Sequence, residues 1–157
     1  MQLKGIRMED FTNYKKPSMF IAFPSCTFKC EKECNRKICQ NSELAKTPNI
    51  EVSTHEIVNR YLTNPITKAV VIGGLEPFDN ACDLVNLIDA IRRKTDDDIV
   101  IYTGYTEEEI VDGIKILEGF KNIIVKFGRY VPDQEKHYDK ILGVYLASPN
   151  QGAKKIS

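Results

Sequence analysis

The sequence lacks several features that would indicate common classes of protein. Its formal net charge is zero, with 22 basic and 22 acidic side chains, so it gives no reason to expect a nucleic acid or an anionic membrane as partner. It contains no apolar run long enough to cross a bilayer. Its only two histidines, His55 and His137, have no partner at metal-ligand spacing. It also shows no internal repeat and no low-complexity segment.

What remains is typical of one globular domain of 157 residues, long enough to bury a core. The first ten residues do not have the pattern of a secretory signal peptide. The total of five cysteines is odd, which argues against a full disulfide framework. We therefore expect a cytoplasmic protein, with a single domain over residues 1–152 and a frayed tail over residues 153–157.

Four of the five cysteines fall in one short segment, residues 25–44. They are Cys26, Cys30, Cys34 and Cys39. In a helix, the first three would lie on one stripe, each about 6 Å further along the axis. A compact inorganic centre needs thiolates that converge from several directions, so we expect a loop that wraps around the centre. Four basic residues are interleaved with the cysteines, and nearby cations favour thiolates: Lys29, Lys32, Arg36 and Lys37.

The rest of the chain alternates between strand and helix patterns. Short apolar runs at residues 19–23, 69–72, 99–102 and 122–126 are typical of strands buried in a parallel sheet. Helices are expected after Ser53, after Asp79 as a capping residue, and after Thr106, where Glu109 completes a capping box. This order predicts an α/β fold with right-handed crossovers, with weaker strand patterns at residues 2–7 and 142–146.

Three motifs each follow one of these strands directly. They are the cysteine segment, G-G-L-E-P at residues 73–77 and T-G-Y-T at residues 103–106. Parallel sheets place ligand sites outside the carboxyl ends of their strands, so the three motifs should form one site. Gly73 and Gly74 would allow a ligand to approach the main chain closely, and Glu76 would be an acceptor for an ammonium group.

Spacing alone leaves the nature of the metal open. A structural zinc site could use all four thiolates, although zinc sites usually contain a C-x2-C pair that is absent here. An iron–sulfur cluster held by three cysteines would leave one iron free for a ligand. The spacing favours neither of these alternatives over the other.

Four motifs together resemble the radical S-adenosylmethionine superfamily, and most closely the activating proteins of anaerobic ribonucleoside-triphosphate reductases. They are C-T-F-K-C at residues 26–30, C-Q-N-S-E-L at 39–44, G-G-L-E-P-F at 73–78 and I-Y-T-G-Y-T at 101–106. The likeness extends from Asn13 and Tyr14 to S-P-N-Q at residues 148–151. It implies a small, partial (βα) barrel with a mostly parallel sheet.

The cysteine pattern departs from the C-x3-C-x2-C motif of that superfamily. Cys26 and Cys30 match its first two cysteines, and Cys39, which Gln40 and Asn41 follow, best matches the third. This makes the spacing C-x3-C-x8-C, with Cys34 inside a six-residue insertion. Cys34 is the alternative third ligand, because its distance from Cys30 is closer to the usual gap.

The resemblance implies that three thiolates hold a [4Fe–4S] cluster whose open iron binds S-adenosylmethionine. Six other residues match positions near that ligand: Ile38 beside the adenine, Gly73, Gly74 and Glu76 at the methionine ammonium, and Thr103 and Gly104 at a neighbouring strand end. The cofactors would do the bond-breaking, so no catalytic acid or base is assigned.

The implied function is an oxidoreductase that cleaves S-adenosylmethionine reductively and generates a glycyl radical on a partner enzyme. The resemblance implies the large subunit of an anaerobic ribonucleotide reductase as that glycyl-radical enzyme, and a reduced flavodoxin or ferredoxin as electron donor. Two alternatives remain: a small radical enzyme that acts on a small molecule, and a non-catalytic zinc or iron–sulfur binding module.

Overall fold

The computed structural model describes all of residues 1–157. Its ten strands are β1 (Gln2–Leu3), β2 (Gly5–Asp10), β3 (Ser18–Phe23), β4 (Ile50–Glu51), β5 (Ala69–Gly74), β6 (Asp98–Tyr102), β7 (Ile123–Phe127), β8 (His137–Asp139), β9 (Val144–Leu146) and β10 (Gly152–Lys155). Its five α-helices are α1 (Lys29–Cys34), α2 (Ser42–Lys46), α3 (Thr54–Thr63), α4 (Ala81–Arg92) and α5 (Val111–Leu117). Two 3₁₀ turns, Pro77–Asn80 and Glu108–Ile110, precede α4 and α5. None of these helices combines the length and the apolar character needed to span a membrane.

The main sheet has six strands in the order β10-β7-β6-β5-β3-β2. Strands β3, β5, β6 and β7 are parallel neighbours, and the edge strands β2 and β10 pair antiparallel to them. The sequence prediction of an α/β fold with a mostly parallel sheet is therefore confirmed. Because the parallel strands follow one another in chain order, right-handed crossovers place their helices on the same face of the sheet.

The two faces of the sheet differ in what covers them. On one face, alternate strand residues such as Ile72 and Ile101 pack with α3, α4 and α5 in a cluster of 22 buried hydrophobic residues. On the other face, Val71, Val100 and Ile124 pack with residues from the loop before β3 and from the β8–β9 region in a cluster of seven. Strands buried on both faces need apolar residues at consecutive positions, which explains the unbroken runs in the sequence.

The capping predictions had different outcomes. The Ser53 hydroxyl accepts a hydrogen bond from the Glu56 N–H at 3.1 Å, so Ser53 caps α3 as expected. Glu109 accepts from the Thr106 N–H at 2.9 Å, which is half of a capping box. The prediction for Asp79 was wrong: Glu76 caps the turn before α4 by accepting from the Phe78 N–H, while Asp79 faces the cysteine segment.

The C-terminal region also differs from the sequence prediction. Residues 152–155 do not fray but form β10, which pairs with β7 along four residues. Tertiary hydrogen bonds from β7 order this segment although its own sequence carries no strand pattern. The weak strand pattern at residues 142–146 corresponds to β9, which pairs with β8 in a separate two-stranded sheet.

Candidate iron–sulfur site

A cavity of about 780 Å³ lies at the carboxyl ends of the parallel strands. Seven of the residues singled out from the sequence line it together: Cys26, Cys30, Cys39, Gly74, Glu76, Thr103 and Gly104. The expectation that the three motifs share one rim is therefore confirmed. Cys34, Ile38 and Gly73 are not among the lining residues.

The cysteine segment is not the continuous loop that the sequence predicted. Residues 29–34 form the short helix α1, which carries Cys30 and Cys34 one turn apart. Phe28 before the helix and Asn35 after it have left-handed backbones, with φ of 53° and 49°. These two reversals turn the chain at both ends of α1, so the segment still wraps, as a helix between two bends.

The end of the insertion is joined back to α1. The Glu31 carboxylate accepts a hydrogen bond from the Cys39 N–H at 3.0 Å. The segment between these two residues therefore extends away from the cavity wall and returns to it at Cys39. It comprises residues 32–38. This contact explains how a spacing of eight residues still brings Cys39 beside Cys30 at the cavity wall.

The electrostatics of the thiols differ from the expectation. Burial raises the pKa of the Cys26 thiol to about 11, more than its hydrogen bond from the Phe28 N–H lowers it. Burial, followed by the negative charge of Cys39, raises the pKa of Cys30. The four interleaved cations do not lower these two pKa values, and two of them, Lys29 and Arg36, pair instead with Glu109 and Asp133. A metal would therefore have to displace thiol protons on binding.

The G-G-L-E-P turn is fastened to the cysteine segment. The Asn41 side-chain amide donates to the Gly74 carbonyl at 2.6 Å, and the Glu76 N–H donates to the Ser25 carbonyl at 2.8 Å. Gly74 has φ of +84°, and a Cβ there would lie 2.8 Å from the Ala22 Cα. Only glycine allows this close approach without displacing the neighbouring strand.

Gly73 has a different role from the one expected of a ligand-contacting glycine. A Cβ on Gly73 would lie 3.3 Å from the Phe20 ring and 3.3 Å from the Tyr102 Cβ. The residue therefore makes room for two side chains on the neighbouring strands, and its effect on the cavity is indirect.

Glu76 connects the ends of β5 and β6. Its buried carboxylate accepts hydrogen bonds from the Thr103 hydroxyl at 2.8 Å, the Gly104 N–H at 2.9 Å and the Phe78 N–H at 3.2 Å. Burial raises its pKa, and these three hydrogen bonds oppose that rise. Because a carboxylate has about four acceptor sites, Glu76 can still accept one further hydrogen bond from a cavity ligand.

Lys126 is a cavity residue that the sequence analysis did not assign. It is 6% exposed, and its ammonium donates to the Gly128 carbonyl at 2.8 Å. Burial lowers its pKa to about 8, against the influence of the Glu76 charge. The signal in the sequence was one lysine within the otherwise apolar run I-I-V-K-F. Together, Lys126 and Glu76 supply the cavity with buried groups of opposite charge.

The donor set fits an iron–sulfur cluster. Cys26, Cys30 and Cys39 line one cavity, so three thiols are available for three of the four irons of a cluster. A [4Fe–4S] cluster held by these three thiolates would leave its fourth iron open for a ligand.

Comparison with known families identifies the type of domain. The model of the 4Fe-4S single cluster domain matches residues 14–148, which is most of the chain. The chain belongs to this family. Its cofactor is accordingly a 4Fe-4S cluster, and the match includes all three cysteines at the cavity. Neither the curated proteins nor the solved structures contain a significant match to the chain.

Proposed function

We propose that this 4Fe-4S protein is a radical S-adenosylmethionine enzyme that activates a glycyl-radical partner. The observation that carries the proposal is the shared cavity, which the three cysteines line together with Gly74, Glu76, Thr103 and Gly104. When bound, the cluster would supply the electron that cleaves a carbon–sulfur bond of S-adenosylmethionine. The protein would bind and orient that ligand.

The fold supports this proposal. The chain order of the parallel strands and the placement of α3, α4 and α5 on one face match a barrel-like winding. A doubly wound sheet would instead reverse its strand order and carry helices on both faces. A partial barrel with the cavity at the carboxyl ends of its strands is therefore part of the proposal.

Cys26, Cys30 and Cys39 are the proposed ligands of the cluster. Cys39 is preferred to Cys34 because Cys39 lines the cavity and Cys34 does not. The hydrogen bond between Glu31 and the Cys39 N–H holds that position. Cys34 is left as a half-buried free thiol at the end of α1.

Two buried groups suit the amino acid portion of S-adenosylmethionine. Glu76 would accept from the ammonium, using its remaining acceptor site, and Lys126 would pair with the carboxylate. Thr103 and Gly104 keep the Glu76 carboxylate in place by donating to it. The resemblance puts Ile38 beside the adenine, and in the structure it is half-buried next to Cys39.

The proposed partner follows from the resemblance and from the position of the two segments at its ends. Asn13 and Gln151, from the two ends of the likeness, both line the same cavity. We propose an anaerobic ribonucleotide reductase as the glycyl-radical enzyme and a reduced flavodoxin or ferredoxin as electron donor. Electron paramagnetic resonance of a mixture with that reductase should show a glycyl radical, which would be absent without S-adenosylmethionine.

The first test is anaerobic reconstitution with iron and sulfide of the wild type, Cys34→Ala and Cys39→Ala. We expect Cys34→Ala to retain iron and to cleave S-adenosylmethionine after reduction, and Cys39→Ala to lose both. The opposite result would move the third ligand to Cys34. A wild-type protein that takes up zinc, but neither iron nor sulfide, would contradict the proposed function.

A further inference from the structure

Helix α1 carries Cys30, yet hydrophobic packing does not hold it. The helix has six residues, and none of them is buried. Helices this short are not stable alone, because too few hydrogen bonds form after the costly first turn. The position of Cys30 must therefore depend on polar contacts that α1 makes with the rest of the protein.

The contacts of α1 centre on Tyr105, in the loop after β6. The Lys29 ammonium lies 4.4 Å from the centre of the Tyr105 ring, and the guanidinium carbon of Arg129 lies 5.8 Å from it. The Tyr105 hydroxyl donates to Asp79 at 2.6 Å and lies 3.3 Å from the Thr27 hydroxyl. Tyr105 thus touches the loops that follow β3, β5 and β7.

Arg129 continues these contacts. Its side chain is 10% exposed and makes two hydrogen bonds to Glu109, at 2.6 and 2.9 Å. Its Nε lies 3.2 Å from a Glu33 carboxylate oxygen, as an ion pair without hydrogen-bond geometry. Glu109 also lies 3.5 Å from the Lys29 ammonium. The Arg129 guanidinium holds the pKa of Glu109 at about 2, so this carboxylate stays charged at neutral pH.

Lys29 and Glu33 are four residues apart and share one face of α1. We refer to five residues as the polar clamp: Lys29, Glu33, Tyr105, Glu109 and Arg129. Its cations and carboxylates alternate, so each charge has an opposite neighbour. Cys30 lies between Lys29 and Glu33 in the chain and lines the cavity.

We propose that Tyr105 and Arg129 are positioning residues that hold α1, and with it Cys30, at the cavity wall for cluster binding. They act before the metal arrives, because the clamp is complete without it. The proposal rests on the proposed role of Cys30 as a cluster ligand.

The first experiment measures how accessible Cys30 is in the cluster-free protein. Iodoacetamide labelling followed by peptide mass spectrometry gives the rate at Cys30 relative to the exposed Cys82. We expect Arg129→Gln and Tyr105→Leu to raise this ratio about tenfold, because loss of charged hydrogen bonds increases local opening. Arg129→Lys and Tyr105→Phe each keep part of the contacts and should lie between these variants and the wild type.

Arg60→Gln is the matched control, since Arg60 pairs with Glu56 on the exposed surface of α3. It should leave the labelling ratio unchanged. A folded Arg129→Gln protein, shown by an unchanged melting temperature, that labels Cys30 at the wild-type rate would overturn the proposal.

The second experiment measures the iron content of the reconstituted protein. Arg129→Gln and Tyr105→Leu should retain less iron than the wild type, whereas Arg60→Gln should retain as much. Wild-type iron content in both clamp variants would overturn the role of the clamp in cluster binding. If the wild type binds no cluster, the proposed function fails, whereas the labelling of cluster-free protein still decides whether the clamp positions α1.

Discussion

The two faces of the sheet have different physical characters. The face under α3, α4 and α5 holds a cluster of 22 buried hydrophobic residues, whereas the opposite face holds seven. The cavity, at the carboxyl ends of the parallel strands, is lined by buried polar groups, notably Glu76, Thr103 and Lys126. Hydrophobic burial on the helix-covered face stabilises the fold. That stability offsets the free-energy cost of burying charged groups at the cavity.

The largest expected loss of stability comes from a core substitution on the helix-covered face. Ile101→Ala removes a side chain with no exposure and should reduce the free energy of unfolding by about 2–5 kcal/mol. Chemical denaturation measures the loss. Ile116→Ala, at an exposed position of α5, is the control and should change little. If Ile101→Ala lost iron binding while keeping its stability, the division between the two faces would be wrong.

A smaller loss of stability is expected at Gly74, at the carboxyl end of β5. Gly74→Ala would put a Cβ 2.8 Å from Ala22 at a φ of +84°, and should cost about 1–3 kcal/mol. It should also reduce iron loading, because the Gly74 carbonyl is tied to Asn41. Gly152→Ala has open space around its Cβ and serves as control. Equal stability of the two variants would contradict the close approach.

Lys126→Met tests the cavity on the other face of the sheet, where removal of a buried charge should not destabilise the protein. Gln151 still donates to the Gly128 carbonyl, so that acceptor keeps a partner. The pKa of Lys126 is about 8 in the folded protein against an ordinary 10.5, so between these pH values the unfolded chain binds more protons. Wild-type stability should therefore rise with pH across this window.

Denaturation of both proteins between pH 8 and 10.5 measures this difference. The Lys126→Met protein should lack the part of the rise that Lys126 contributes, and should bind S-adenosylmethionine more weakly. Parallel stability curves for wild type and variant would show that Lys126 is not buried as a charge.

The smallest effect concerns one helix end on the apolar face. Ser53→Ala removes the hydroxyl that accepts from the Glu56 N–H and should cost about 1 kcal/mol. Ser53→Thr keeps a capping hydroxyl and should stay near the wild type in thermal melting. A Ser53→Ala protein with unchanged stability would show that packing alone determines where α3 begins.

Local patterns in the sequence predicted the frame of the site well. The apolar runs located β3, β5, β6 and β7 to within about a residue or two, a precision usual for element boundaries. Parallel topology then placed the motifs after three of these strands on one rim. These features depend on side-chain periodicity and on strand direction. Both follow from residues that are neighbours in the sequence.

The contacts that complete the site were not predictable in this way. Spacing left Cys34 and Cys39 as alternatives for the third ligand. In the structure only Cys39 of the two lines the cavity, where its N–H donates to Glu31. The pairing of Arg129 with Glu33 has no local signal. Lys126 stands alone in an apolar run, but that pattern does not show that its ammonium is buried at the cavity. The strand β10 likewise forms only because β7 offers it a partner.

The sequence by itself determined the α/β alternation, the rim on which the cysteines lie and the identity of the groups available to bind a cluster. Only the tertiary structure decided which cysteines line the cavity, which charges are buried beside them and what holds α1 in place. The reason is that periodicity acts between near neighbours, whereas these contacts join residues far apart in the chain and depend on how the packed strands bring them together.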